Sequence, residues 1–359
     1  MTLVRNGLTP TPERIAQRQP CIVAAGHYLP EREVTNEEIA GFLDVRPEDI
    51  ERRTGIRSRR WVEGRVYTSD LATRACRDVV DKFGIDLAEI DCLIAATMTP
   101  DYVVAPGIGV HVQVKLGLGT IPCFDVRDQC SGFLYALQMA RAFVIAGIHR
   151  RILVVCAELQ SHGLGRSPEH AHTTPLFADG AGAVVVADRA DGPGAGGLSL
   201  DVRWLRTYAD GSGSVNLRHR IADVSLHPPW DIAQLDEPAS GVLYPEMNGE
   251  LVFRRAVRTM ADTVNLCFAE TGITQADVTH LLPHQANRNI NAMVAALLRF
   301  PPEKMLGNID RVGNTSSASM PILLSESLEN GTIRAGDRVL CVGFGAGYTW
   351  GGMLLEFGS

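Results

Sequence analysis

Short apolar runs alternate with longer segments of helical periodicity along most of this chain. Runs rich in aliphatic and β-branched residues predict strands at 21–26, 91–97, 151–157, 181–187, 279–284 and 338–345. Apolar residues at helical spacing predict helices at 69–83, 106–117, 131–147, 249–272, 286–299 and 319–330. Continuous apolar strands that alternate with helices are typical of an α/β fold with a largely parallel sheet covered on both faces.

The second half of the chain weakly repeats the order of elements in the first half. The repeat places Cys130 and Asn314 each just before a helix, and His284 at the end of a strand. Strand ends of this kind usually carry the functional residues of α/β sheets. The sequence therefore predicts two pseudo-repeated halves, 19–190 and 191–359, after a loose N-terminal extension at 1–18.

The stretch 189–248 interrupts the pattern. It contains the segments DGPGAGG, DGSGS, HPPW and DEPASG, whose glycine, proline and polar residues predict loops and short edge strands. We expect this stretch to form part of a substrate entrance.

Composition is ordinary for a globular protein, with 359 residues of which 45% are hydrophobic and 21% charged. The formal net charge of −7 argues against broad nucleic-acid binding. Five arginines nevertheless cluster within 52–60, either as a solvated turn or as a dock for phosphates or an acidic carrier protein. No apolar signal core and no membrane-spanning run is present in the sequence, so we expect no membrane segment and a cytoplasmic location.

The eight cysteines include no CxxC pair, and most of them lie in apolar surroundings. A disulfide framework is not expected in a chain of this size, and no ligand spacing supports a metal site. The pattern fits a reducing compartment.

Cys130 ends the segment CFDVRDQC and precedes the apolar helix predicted at 131–147. At a helix N-terminus, free N–H groups and the helix dipole favour a thiolate, which is a nucleophile at neutral pH. The alternative is a buried structural cysteine, which is common in protein cores. The residue alone does not decide between them.

His284 lies in LLPHQANRNI and Asn314 in RVGNTSSASMP. Each has an ordinary structural interpretation, as a hydrogen-bonded histidine and as a helix N-cap. Together with Cys130 they suggest a chemistry. A cysteine can hold an acyl group taken from a thioester, while histidine and asparagine N–H groups stabilise the enolate left when a malonyl thioester loses CO₂.

A glycine-rich segment, CVGFGAGYTWGG at 341–352, leaves no room after it for a dinucleotide-binding unit. The backbone N–H groups of Cys130 and of a residue near Ala346 would instead form an oxyanion hole for the tetrahedral intermediate.

Several motifs together resemble the 3-oxoacyl-[acyl-carrier-protein] synthase III family, whose members are thiolase-fold condensing enzymes. They are RTGIRSR (53–59), DQCSGFLYALQMA (128–140), LFADGAGAVVV (176–186), PHQANRNI, GNTSSASMP (313–321) and GFGAGYTWGG. The resemblance extends from about residue 20 over nearly the whole chain. It implies α-β-α-β-α layers, a homodimer, acyl carrier protein and acyl-coenzyme A thioesters as partners, and no metal or redox cofactor.

The same resemblance implies the roles of individual residues. Cys130 would accept the acyl group, His284 and Asn314 would bind and decarboxylate the malonyl extender, and Phe344 would help to drive decarboxylation. The extender would arrive on acyl carrier protein or on coenzyme A.

The chain departs from the usual family pattern where coenzyme A binds. Asp49 stands where a tryptophan normally stacks on the adenine, although Arg53 is retained. Arg288 and Asn289 stand where leucine and arginine are usual. These changes argue against the usual mode of coenzyme A binding.

Two further positions differ. Ala105 replaces a bulky residue that reaches into the partner's acyl pocket, so we expect a pocket roomier than one that takes acetyl groups. Ala346 replaces a more common glycine, which is tolerable because only its amide is used.

The segments around Cys130 and PDYVVAP also resemble the branch that makes quinolone signals from an aromatic acyl thioester. Three alternatives stay open: acyl transfer to an amine or hydroxyl, head-to-head condensation of two acyl chains, and a silent partner subunit. Head-to-head enzymes use a glutamate about two dozen residues before the nucleophile, and 102–109 contains no acidic residue. Primers of any acyl class, carriage on acyl carrier protein or on coenzyme A, and fatty-acid or specialised-metabolite synthesis all stay open.

Overall fold

The structure is a computed structural model, and it describes residues 18–102, 104–192, 198–213, 217–219 and 245–358. Of the expected extension at 1–18, only Arg18 falls within these residues.

The strands are β1 Pro20–Tyr28, β2 Glu33–Thr35, β3 Ser58–Arg60, β4 Cys92–Ala96, β5 Cys123–Val126, β6 Arg151–Glu158, β7 Gly180–Asp188, β8 Leu200–Ala209, β9 Leu217–His219, β10 Pro245–Met247, β11 His280–Pro283, β12 Arg338–Gly345 and β13 Thr349–Phe357.

The helices form where apolar residues recur at helical spacing. In α3, for example, Leu71, Ala75 and Val79 form one buried face against β1 and β7, and Gly84 ends the helix. The helices are α1 Asn36–Ala40, α2 Pro47–Thr54, α3 Thr68–Phe83, α4 Ile108–Leu116, α5 Gly132–Ala146, α6 Gly249–Thr271, α7 Arg288–Leu298, α8 Ile309–Val312 and α9 Ser319–Glu329.

Nine strands form one mixed sheet in the order β11-β12-β13-β8-β1-β7-β6-β4-β5. The prediction of a mostly parallel sheet is wrong in its proportions. Five neighbouring pairs of strands are antiparallel, and only β4–β5, β4–β6 and β11–β12 are parallel. A strand buried on both faces gives a continuous apolar run whether its neighbours are parallel or antiparallel, so the apolar pattern does not distinguish the two arrangements. Antiparallel neighbours such as β12 and β13 also need no crossover helix to connect them.

The pairing pattern repeats on the two sides of the β1–β8 contact. On one side β1 pairs with β7, β7 with β6 and β6 with β4; on the other, β8 pairs with β13, β13 with β12 and β12 with β11. This repeat confirms the pseudo-repeated halves, whereas the boundary at 190/191 stays a prediction.

Two buried helices lie between the halves of the sheet. Helix α5 contacts β4, β6 and β7 from one half and β8 and β13 from the other, while α9 contacts β1, β7 and β11. Helices α3 and α4 cover the outer face of the first half, and α6 and α7 cover that of the second. The layers therefore follow the predicted α-β-α-β-α order.

The prediction of loops and edge strands over 189–248 is wrong for residues 200–209, which form β8. Strand β8 is long and lies near the centre of the sheet, between β13 and β1. Its charged residues obscure the apolar pattern, but they have partners: Arg203 pairs with Glu356 on β13, and Asp201 pairs with Arg189. Much of the remaining stretch, 193–197, 214–216 and 220–244, lies outside the described residues.

Candidate active site

Cys130 lies at the start of a helix, on the carboxyl side of β5. It is the middle residue of a one-turn 3₁₀ helix, Gln129–Ser131, and α5 begins directly afterwards. Gln129 has a φ of 42°, a left-handed conformation that is strained for a residue with a side chain. The chain therefore bends sharply just before Cys130, which lines a cavity.

Burial dominates the electrostatics of the Cys130 thiol. The side chain is 8% exposed, and burial raises the pKa of its thiol to about 12. The hydroxyl of Ser316, whose Oγ lies 3.7 Å from the sulfur, lowers this pKa, and the carboxyl of Glu158 raises it. The expectation of a preformed thiolate is therefore wrong for the resting structure, because loss of water outweighs the helix N-terminus.

His284 directly follows β11 and is held by both its backbone and its ring. Its backbone N–H donates to the carbonyl of Val342 (2.8 Å), and its ring Nδ1 lies 2.5 Å from the Oγ of Ser319. The other ring nitrogen, Nε2, is buried and has no partner among the described residues. Burial lowers the pKa of His284 to about 3, so the ring is neutral at physiological pH.

Asn314 is fixed in a loop that pairs with residues 176–178. Its backbone N–H donates to Leu176 O (2.9 Å), and its carbonyl accepts from the N–H of Ala178 (2.9 Å). The side-chain Oδ1 accepts the N–H of Ser316 (2.9 Å). The N-cap interpretation thus explains Oδ1 but not Nδ2, which is an N–H donor without a partner in the described part of the chain.

The internal repeat aligns differently from the sequence-based expectation. The 3₁₀ turns at Gln129–Ser131 and Ser316–Ala318 both begin with a left-handed residue, since φ is 42° at Gln129 and 47° at Ser316. Aligned on these residues, Cys130 corresponds to Ser317. Asn314 therefore lies before the position that matches Cys130.

One cavity of about 210 Å³ brings together Cys130, His284, Asn314 and Phe344. Its apolar walls include Val45, Ile50, Leu176, Phe177, Met247, Val252, Phe253, Ala256, Met260 and Ile290. A largely apolar cavity with a minority of polar lining residues suits an acyl chain attached to a polar carbonyl group.

The glycine-rich turn packs directly on the backbone of Cys130. A Cβ at Gly345 would lie 3.2 Å from both the N and Cβ atoms of Cys130, so a side chain there would press on both. Gly345 and Phe344 line the cavity, and the ring of Phe344 packs 4.9 Å from that of Tyr348. Ala346 follows Gly345 without lining the cavity itself. Its role as an oxyanion donor stays a prediction.

The other three predicted residues lie in different places. Arg53 lines the cavity, and its carbonyl accepts a hydrogen bond from Asn289 Nδ2 (2.9 Å). Arg288 packs on Gly55 and lines a neighbouring groove instead. Ala105 is exposed and lines neither space.

Four residues in or beside the cavity were not among the predicted site residues: Ser316, Ser319, Glu158 and His172. The two serines belong to the run of small residues that follows Asn314, so their closeness to Asn314 in the sequence could have identified them as candidates. Glu158 ends an apolar strand, and an acid in that position is a candidate for a perturbed ionisation. His172 also lines the cavity and was missed, because it lies in a polar loop without a distinguishing pattern.

The described residues contain neither a helix fit to span a membrane nor a cluster fit to bind a metal ion. None of the helices found there combines the length and apolar character needed to cross a bilayer. The same residues contain no group of three His, Cys, Asp or Glu side chains arranged to hold a metal ion.

Comparisons with known proteins agree with this architecture. Residues 124–204 match the family 3-oxoacyl-[acyl-carrier-protein (ACP)] synthase III, and residues 268–357 match 3-oxoacyl-[acyl-carrier-protein (ACP)] synthase III C terminal. A beta-ketoacyl-[acyl-carrier-protein] synthase III of Deinococcus deserti is 38% identical over 92% of this chain and 89% of its own length.

Solved structures give the same result. A beta-ketoacyl-[acyl-carrier-protein] synthase III of Thermus thermophilus superposes with a TM-score of 0.82 at 37% identity, covering 94% of this chain and 99% of that one. The priming beta-ketosynthase of the R1128 polyketide biosynthetic pathway superposes with a TM-score of 0.83 at 32% identity, covering 98% of each chain.

Proposed function

This chain belongs to the 3-oxoacyl-[acyl-carrier-protein] synthase III family, and from that premise we propose that it joins an acyl group held on Cys130 to a malonyl thioester by decarboxylative Claisen condensation. The observation that carries the proposal is that Cys130, His284 and Asn314 line one largely apolar cavity, with His284 Nε2 left without a partner among the described residues. The enzyme is accordingly an acyltransferase of the condensing type.

The first step loads the acyl group. The sulfur of Cys130 attacks the carbonyl carbon of an acyl thioester, and the bond from that carbon to the carrier sulfur breaks. The proton of the thiol ends on the departing carrier thiol. Backbone N–H groups at Cys130 and Ala346 would stabilise the oxyanion, and each such donor contributes roughly 3 kcal/mol to the transition state.

The second step makes the carbon–carbon bond. The malonyl carboxylate leaves as CO₂, and its bonding electrons form an enolate on the thioester oxygen, held by His284 Nε2–H and Asn314 Nδ2–H. The enolate carbon attacks the acyl carbonyl on Cys130, and the carbon–sulfur bond breaks. Cys130 leaves as a thiolate and recovers a proton from solvent, giving a 3-oxoacyl thioester.

A neutral histidine suits the second step. Because the pKa of His284 is lowered to about 3, its ring approaches the enolate as an uncharged donor. The contact between Nδ1 and Ser319 is compatible with a serine O–H donating to Nδ1, which leaves the proton on Nε2. Phe344, on the same cavity, excludes water and disfavours the charged malonyl carboxylate, which favours loss of CO₂.

Exposed arginines near the cavity support the proposal that the substrates arrive on a carrier with phosphate groups or an acidic surface. Among the described residues Arg53 and Arg288 are exposed and form no ion pair, whereas Arg52 pairs with Asp49. Asp49 lines the cavity, so adenine cannot stack at that position as it would on an aromatic side chain. We therefore favour malonyl-acyl carrier protein over malonyl-coenzyme A as the extender. For the primer, acyl-coenzyme A and acyl carrier protein thioesters both stay candidates.

An exposed apolar surface supports a homodimer. Val104 and Val114 are 92% and 78% exposed, and Phe124 lies on β5, the free edge of the sheet. Val110 and Val114 share one face of α4, and the ring of Tyr102 packs on His111 of the same helix. A second copy covering this surface would also cover the exposed Ala105.

A reducing cytoplasm is proposed as the location. All eight cysteines are free, and seven of them are buried. Free, buried cysteines are compatible with a compartment in which thiols stay reduced.

Intact-protein mass spectrometry tests the proposal. The protein is incubated with acyl thioesters of increasing length, including aromatic ones, and the added mass is mapped to Cys130. ¹⁴CO₂ release from carboxyl-labelled malonyl thioester is then followed. We expect a stable acyl adduct with the acyl thioester alone. CO₂ should be released only after the malonyl thioester is added.

The controls separate the alternatives. Cys130→Ala should form no adduct and no 3-oxoacyl product. An adduct that passes to an amine or hydroxyl without CO₂ release would establish acyl transfer instead. Coupling of two acyl chains without malonyl thioester would establish head-to-head condensation, and a protein that takes no acyl group would be a silent subunit.

A further inference from the structure

Glu158 is a fully buried acid that lines no part of the cavity. It is the last residue of β6, and five donors surround its carboxylate. Its Oε1 accepts from Ser317 Oγ (2.6 Å) and, less closely, from Ser317 N (3.4 Å). Its Oε2 accepts from Met98 N (3.2 Å), Thr99 Oγ1 (3.0 Å) and Thr97 Oγ1 (3.3 Å).

These contacts join two turns next to the Cys130 sulfur. Ser316 immediately precedes Ser317, and its Oγ lies 3.7 Å from Cys130 Sγ and 3.5 Å from Met98 Sδ. Ser316 is therefore held between the thiol and a turn that Glu158 also binds. A carboxylate surrounded by donors from two turns fixes their separation.

The charge of Glu158 acts on the same thiol. Burial raises the pKa of Glu158 to about 7, and Glu158 in turn raises the pKa of Cys130. Other titratable groups in this region are Cys156 on β6, His284 on the cavity wall, Asp128 before Cys130 and Asp179 next to the strand partner Gly180. The turns at 97–99 and 316–318 and the strand partner Gly180 carry no titratable group.

We propose that Glu158 is a positioning residue for Cys130, which holds Ser316 against the sulfur through Ser317 and whose ionisation disfavours the thiolate. The proposal rests on Cys130 being the nucleophile, as proposed above. It assigns Glu158 a role in acyl loading: the thiol stays protonated in the empty enzyme, and at any given pH its thiolate fraction is smaller when Glu158 is charged than when Glu158 is neutral.

The test is the pH dependence of Cys130 alkylation by iodoacetamide, from pH 5.5 to 9, measured by mass spectrometry of the full chain. For the wild type, the logarithm of the rate should rise with pH, flatten around pH 7 as Glu158 ionises, and rise again. Glu158→Gln should give a single straight rise and should react roughly threefold or more faster than the wild type at pH 8, with equal rates at pH 6.

A matched control is Asp179→Asn. Asp179 is also a buried acid, and it accepts from Ser161 N (2.8 Å) and Ser161 Oγ (2.6 Å), but its charge does not act on Cys130. This variant should keep the wild-type inflection. A Glu158→Gln profile that retains the inflection would overturn the proposal.

A second variant, Ser317→Ala, tests the proposal in the same alkylation experiment if Glu158→Gln does not fold. The Ser317 hydroxyl lowers the pKa of Glu158, so its removal should move the inflection to higher pH. An unmoved inflection would equally overturn the proposal. Alkylation needs neither acyl nor malonyl substrate, so this result is independent of the condensation assay.

Discussion

The Oγ atom of Ser319 lies 2.5 Å from Nδ1 of His284 and also accepts the backbone N–H of Gln285 at 3.3 Å. The serine is the first residue of α9, so a buried helix fixes the ring of a residue at the end of β11. This contact leaves Nε2 as the ring atom available to a ligand.

Ser319→Ala should therefore impair decarboxylation more than acyl loading. Loss of one buried hydrogen bond costs about 1–3 kcal/mol, and we expect roughly a 10-fold or greater fall in CO₂ release from malonyl thioester. Acylation of Cys130 should change little, as measured by adduct formation.

Ser325→Ala is the matched control for that variant. Ser325 lies on the same helix and makes the same kind of contact, at 2.9 Å from Nδ1 of His27. It should not alter CO₂ release. Equal losses in both variants would mean that α9 had simply been destabilised.

His284 should also make the protein sensitive to acid. Its pKa is lowered from 6.5 to about 3 on folding, so the unfolded chain binds more protons between these values. The free energy of unfolding therefore falls as pH falls below about 6.5, and His284 has no such effect above it. Between pH 7.5 and pH 5 we expect wild type to lose about 2 kcal/mol more than His284→Gln, whose side chain does not titrate.

Urea unfolding at the two pH values measures this difference. Both proteins contain Glu158, whose raised pKa acts in the opposite direction between pH 4.5 and 7, and that contribution cancels in the comparison. Equal losses in the two proteins would show that His284 is not buried as a neutral ring.

The sequence predicted most elements because its apolar runs are unbroken, and it failed where charges interrupt them. The helices predicted at 69–83 and 319–330 agree with α3 and α9 to within one residue at each end. Strand β8 was missed because Arg203 and Asp201 obscure its apolar pattern, and their partners Glu356 and Arg189 lie on other elements. Pairings of this kind are set by the tertiary fold.

The candidate site likewise has features that the sequence predicts and features that only the tertiary fold determines. Cys130, His284 and Asn314 were identifiable from short motifs, and the structure brings all three to one cavity. The protonation of the thiol was not predictable, because the helix position suggests a thiolate and only the folded environment shows that burial dominates. The link from Glu158 to Ser317 joins residues too far apart in sequence for any motif to reveal it.

Gly345→Ala should slow acyl loading. Its Cβ would lie 3.2 Å from the N and Cβ atoms of Cys130, so the turn or Cys130 must shift by a few tenths of an ångström. Since oxyanion donors act only at short range, we expect roughly a 10-fold or greater fall in the acylation rate. Gly119→Ala, where a Cβ would meet nothing within 4 Å, is the control and should load at the wild-type rate.

Val114→Asp should convert the proposed homodimer to monomers. Val114 is 78% exposed on α4, beside the edge strand β5, and a carboxylate there cannot be buried against a second copy without a large desolvation cost. Leu297→Asp is the matched control: Leu297 is 59% exposed on α7, which covers the other half of the sheet. Sedimentation velocity at micromolar concentration should show monomer for Val114→Asp and dimer for wild type and Leu297→Asp. A dimer that survives Val114→Asp but not Leu297→Asp would place the interface on α7, and Ala105 would then have no partner pocket to border.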